Sequence, residues 1–72
     1  MLHRRNDSTL ALKDYSKAIQ LNPNKEEYYF FRGVILNLEG DNKAALRDLD
    51  HALRINPNYR EAIAAKEKFL KI

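Results

Sequence analysis

The sequence predicts an all-α fold in which short helices stack as antiparallel pairs. Three observations point there. Apolar residues recur at helical spacing in successive segments, separated by glycine-aspartate or asparagine-proline-asparagine breaks. The chain also repeats itself, at the interval of 34 residues that separates Pro23 from Pro57. Finally, its 72 residues are 44% hydrophobic and 32% charged with only 2 Gly and 2 Pro, the composition of a folded helical protein rather than a linker. A chain this short makes one small domain that buries only about 60% of its unfolded surface, so every helix has to pack well.

Taken in order, Leu2 to Arg5 reads as the last turn of one helix and Asp7 to Leu21 as the next. Asn6-Asp7 is expected to separate them, because asparagine tolerates the left-handed conformation better than most residues. Pro23 then disfavours helical geometry at Asn22 and forces a turn. The second helix, Glu26 to Glu39, opens on Asn24-x-x-Glu27, a capping-box variant, and its Glu26-Glu27 pair suits the helix dipole. It carries Tyr28, Tyr29, Phe30, Phe31, Val34, Ile35, Leu36 and Leu38. Gly40 ends it by supplying a left-handed residue, and Asp41 caps the next helix. That third helix, Asn42 to Ile55, carries Ala45, Leu46, Leu49, Ala52, Leu53 and Ile55. Asn56-Pro57-Asn58 repeats the earlier stop, Asn58-x-x-Glu61 repeats the box, and Arg60 to Leu70 forms the fourth helix.

The internal repeat covers far more than proline. Asp7, Ala11, Leu12, Asp14, Ala18, Asn22, Pro23 and Asn24 fall on Asp41, Ala45, Leu46, Asp48, Ala52, Asn56, Pro57 and Asn58. Gly33 and Ala45 lack long side chains and let two helix axes approach, with Ala52 extending the narrow contact, while Tyr29, Leu36 and Leu49 fill the space beside it. A helix-turn-helix unit of this length with Gly33, Gly40, Ala45, Leu49, Ala52 and Pro57 in that order resembles the tetratricopeptide repeat. Tyr29 stands where the family often has tryptophan. Arg32 and Asn42 depart from its pattern, which usually has an apolar residue and often a tyrosine there. The resemblance implies a short right-handed stack divided as a partial repeat (1–24, mainly its second helix), a complete repeat (25–58) and a C-terminal capping helix (59–72). In that last helix Ile63 and Leu70 keep the first-helix register, but Glu67 replaces the small residue and reads as a solvating cap.

Stacked repeats generally need three or more units to bury a continuous core. About one and a half repeats therefore leave a face of the first helix, bearing Ala11, Tyr15 and Ala18, without its partner. A second copy of the chain offers one through its final helix, which makes a homodimer, and with it a structural assembly role, the competing expectation.

The resemblance implies non-catalytic protein–protein interaction, with a peptide or helix of a partner bound in a groove lined by first helices. The groove positions here are Glu27, Phe30, Phe31, Val34, Asn37 and Leu38. Phe30 and Phe31 either pack on neighbouring helices or serve as apolar anchors in the groove. Some family members clamp a chaperone's C-terminal carboxylate with Lys, Arg and Asn. Phe30, Phe31, Ala64 and Ala65 occupy those positions here, which argues against a clamp. The sequence names no partner.

Other functions find little support. His3 and His51 have no second histidine or cysteine at ligand spacing, so neither a metal nor another cofactor is expected. Asp48 and Asp50 point in different directions along a helix, no nucleophile stands with a base, and there is no phosphate-binding glycine loop, so no enzyme is expected. The net charge of +3 is interspersed. The late cations Arg54, Arg60, Lys66, Lys68 and Lys71 are interrupted by Glu61 and Glu67, with only Phe69 interleaved, which keeps RNA a minor alternative. Met1-Leu2-His3-Arg4-Arg5-Asn6 has no apolar run behind its arginines, and no stretch reads as a membrane span, so the expected compartment is the cytoplasm.

Overall fold

The computed structural model describes residues 3–71, with side chains from Ser8 onward. It contains four helices: α1 (His3–Leu21), α2 (Glu26–Leu38), α3 (Asn42–Ile55) and α4 (Arg60–Leu70). Each packs on the next in sequence, and α2 also touches α4. The result is a thin slab of 36 × 32 × 16 Å measured over Cα atoms. No described helix is long and apolar enough to cross a membrane.

The α2–α3 hairpin holds most of the core, which comprises Tyr29, Ala45, Leu49, Ala52, Ala62 and Phe69. Its closeness depends on Gly33. A Cβ placed there would stand 3.1 Å from the Ala45 carbonyl oxygen and 3.3 Å from Asp48 Cβ, so the two backbones meet where no side chain intervenes. The turn that folds α3 back onto α2 is equally specific. Gly40 adopts φ 93°, its N–H donates to Asn37 O (3.0 Å), and the Asp41 N–H donates to Leu36 O (2.9 Å). These two bonds form a Schellman motif, which satisfies carbonyls that the helix end leaves free. Asp41 Oδ1 then accepts from the Ala44 N–H (3.2 Å), as a capping aspartate should.

Both departures from the family pattern carry structural bonds. Arg32 donates from Nε and Nη2 to the two Asp48 carboxylate oxygens (2.7 and 2.9 Å) and from Nη1 to Ser16 Oγ (3.2 Å), so one guanidinium ties α1, α2 and α3 together. Its pKa is raised, first because the Asp48 hydrogen bond favours the charged form. Asn42 accepts from the Asn37 amide (2.9 Å) and donates to Phe69 O (3.2 Å), joining α2, α3 and α4.

Three expectations are corrected. No turn forms at Asn6-Asp7: α1 is helical from His3 to Leu21, because Asn6 carries a Cβ and is not driven into the left-handed geometry that Gly40 takes. The Leu2 part of that expected stub lies outside the described residues. Neither capping box forms. The N-caps of α2 and α4 are Lys25 and Tyr59, which places Asn24 and Asn58 one residue too early. Asn56 makes the turn instead, with Oδ1 accepting from the Asn58 N–H (3.1 Å) and its amide donating to Glu26 (3.2 Å). Lastly, Tyr15 does not wait for a missing helix but stacks on Phe31 of α2, with ring centroids 5.8 Å apart.

The fourth helix packs on α3 as α2 packs on α1. It buries Ala62 and Phe69 and bonds Lys66 Nζ to Asp50 (2.6 Å), and Asp50 stands one repeat after Ser16, the residue that Arg32 reaches. Ile63 and Leu70, which match Tyr29 and Leu36 by that interval, remain 39% and 61% exposed.

Candidate partner-binding site

The aromatic run of α2 explains how the groove is built. Four consecutive rings point around the helix at about 100° per residue and so reach different neighbours. Tyr28 and Phe31 turn to Tyr15 of α1. Tyr29 is buried toward α3, stacked on His51 at 4.0 Å, with its hydroxyl donating to Pro23 O (2.9 Å). Phe30 faces the fourth helix, edge-on to Phe31 and tilted onto Tyr59, each at 5.2 Å. Tyr28, Tyr15, Phe31, Phe30 and Tyr59 thus form one aromatic file across α1, α2 and the start of α4.

Between α2 and α4 lies an open hollow of about 400 Å³. Phe30 and Val34, four residues apart on one stripe of α2, form one wall. Ala64, Ala65 and Phe69 form the apolar part of the other, with Glu61 and Lys68 at its margins. The small alanines leave the space, and the nearly buried Phe69 closes its floor. Glu61 and Lys68 are seven residues apart on α4, about 10 Å along its axis, so the two ends of the hollow carry opposite charge. Burial, followed by the nearby Glu27, Glu61 and Glu26 carboxylates, pushes the Tyr59 phenol at the glutamate end up from its ordinary pKa.

Of the six groove positions read from the sequence, only Phe30 and Val34 line this hollow. Glu27 lies near Tyr59 at the acidic end, and Phe31, 43% exposed, belongs to the α1 contact. Asn37 is engaged with Asn42, and Leu38 stands 75% exposed beside the turn. Sequence reading missed Phe69, Lys68, Glu61 and Tyr59. The repeat interval held a signal for Phe69, since it maps Ala62, Ala65, Lys66 and Phe69 onto Tyr28, Phe31, Arg32 and Ile35, the side of α2 turned to α1. Among the described residues no three His, Cys, Asp or Glu side chains converge as metal ligands.

A scan against models of known protein families matches the tetratricopeptide repeat over residues 26–59. No curated protein matches the chain.

Proposed function

We propose that the chain, whose residues 26–59 match the tetratricopeptide repeat, a unit found generally in protein–protein interaction modules, binds a peptide segment or helix of a partner in the hollow between α2 and α4 and does no chemistry on it. The observation that carries this reading is the solvent-open apolar surface of Phe30, Val34, Ala64 and Ala65 over the Phe69 floor. A side chain inserted there would be desolvated on several sides, the setting in which one anchor dominates a binding energy. Glu61 with Glu27 at one end and Lys68 at the other favour a ligand whose charges run in the opposite sense.

Peptides selected from a random library on the wild-type chain test the site. Those carrying an apolar anchor are expected to bind Phe30→Glu and Ala64→Glu at least roughly tenfold more weakly, at unchanged helicity by circular dichroism. Ala64 is exposed, so its variant separates loss of the groove from loss of fold. Equal binding to all three proteins would remove the hollow as the site.

A second reading, self-association, has its own observation. Ile63 and Leu70 present to solvent the side of α4 that α2 buries in its hairpin, and Leu10 and Leu21 of α1 are 57% and 81% exposed. Glu67 opposes ordinary end-to-end packing because it stands where the hairpin needs Gly33. Sedimentation equilibrium over a hundredfold concentration range distinguishes the readings. The binding-module reading expects a monomer of constant helicity, whereas a dimer that loses helicity on dilution would put the structural role first.

A further inference from the structure

On α2, Arg32 and Leu36 lie two residues from Phe30 and Val34, roughly 200° around the helix, so they face away from the hollow described above. There they form the floor of a second cleft, about 570 Å³, between α1 and α3. Its α1 wall continues through Leu12 and Ser16 into an adjoining depression that Lys13 and Lys17 line. Arg47, His51 and Arg54 edge the α3 side. Of the side chains described, from Ser8 onward, five of 11 basic residues therefore line this trough with one of nine acidic residues, leaving six basic against eight acidic elsewhere. Among the described side chains the net positive charge is gathered on this side.

The single acid, Asp48, is consumed by Arg32, which it holds through both oxygens. The available cations are then Lys13, Lys17, Arg47 and Arg54, all exposed. They do not converge on one point as a lone phosphate would require. Arg47 and Arg54 are seven residues apart, about 10 Å along α3, and the lysines stand across the trough on α1. Apart from His51, whose ring already stacks on Tyr29, no aromatic residue lines either depression. Stacking surfaces for unpaired bases are therefore absent from these walls, which disfavours single-stranded nucleic acid.

We propose that the trough between α1 and α3 is a second docking site, distinct from the α2–α4 hollow, for an acidic segment of a partner protein whose Asp and Glu carboxylates are spread along its length. Its charge complementarity gives orientation and speed of encounter. The test uses the full chain and a fluorescein-labelled hexaglutamate peptide, followed by anisotropy at low and at physiological salt. Hexaglutamate is expected to bind, more weakly as salt rises. Arg47→Gln/Arg54→Gln should weaken it by roughly tenfold or more. Arg60→Gln/Lys71→Gln, which removes the same charge elsewhere, should stay within about twofold, and Phe30→Glu should bind as wild type, so that failure of the apolar hollow and failure of this site remain separate. Lys13→Gln/Lys17→Gln provides a second trough variant should the first lose helicity. No binding at low salt would overturn the proposal. So would equal weakening by trough and control doubles, or tighter binding of a single-stranded RNA hexamer than of hexaglutamate.

Discussion

Gly33→Glu is expected to unfold the chain at room temperature. The glycine sits where a Cβ alone would lie 3.1 Å from a backbone oxygen, and the neighbouring Asp48 is already paired with Arg32. A glutamate there must either push α2 from α3 or bury a second carboxylate beside the first, at a cost of about 4 kcal/mol or more. For 72 residues the whole stability is roughly 4–10 kcal/mol, so the hairpin has little to spare. Circular dichroism is expected to show a largely disordered variant. The converse substitution supplies the control: Glu67→Gly occupies the matching position on exposed α4 and should cost only about 0.5–1 kcal/mol of helix propensity. A well-folded Gly33→Glu would mean that the two helices do not meet through this residue.

Leu49→Ala is the second large effect. Leu49 is the one large side chain that is fully buried among the described residues, and it packs beside Gly33 between α2 and α3. Truncation removes its transfer energy and leaves a void that helices pinned at Gly33 cannot easily close, for a loss of about 3 kcal/mol. Urea denaturation should show a lower midpoint at nearly constant slope. Ala52→Gly, also at a fully buried position, deletes a single methyl and should cost less, about 1 kcal/mol, mainly through helix propensity. Equal losses from the two substitutions would argue against Leu49 as the principal filler of the hairpin.

The parts of this fold that were legible in the sequence are those encoded locally or twice. Gly40-Asp41 announces a helix stop and a helix start within two residues, and the stop and cap occur as read. Gly33, Ala45 and Ala52 declare a close helix contact by being small at helical spacing. The features that escaped depend on partners distant in the chain. Arg32 looks like a misfit until Asp48, sixteen residues later, is seen to hold it. Of the four-ring run on α2 only Tyr29 was legible, as part of the α2–α3 contact; which helices the other three rings meet depends on the rotation of α2 between three neighbours. The cap positions failed for a different reason: a shift of one residue moves Asn24 and Asn58 out of reach, and asparagine-proline turns fix helix starts no more finely than that. In the candidate site, Phe30 and Val34 were readable as outward positions of α2. Of their opposite wall, Ala64 and Ala65 were already placed at groove positions by the resemblance, whereas Phe69, Glu61 and Lys68 were not, because α4 had first to choose which side to bury.

The manner in which α1 is attached also shapes how the protein opens. Among the described residues α1 rests on α2 alone, whereas α2 and α3 hold each other and each also meets another helix. Its amides are therefore expected to exchange with solvent deuterium through a partial opening that leaves the α2–α3 hairpin intact, while amides around Leu49 wait for global unfolding. In a repeat architecture energy is shared only between neighbours, so a ligand lying across both α1 and α3 would couple the weakest unit to the strongest and slow exchange in α1 far more than in α3.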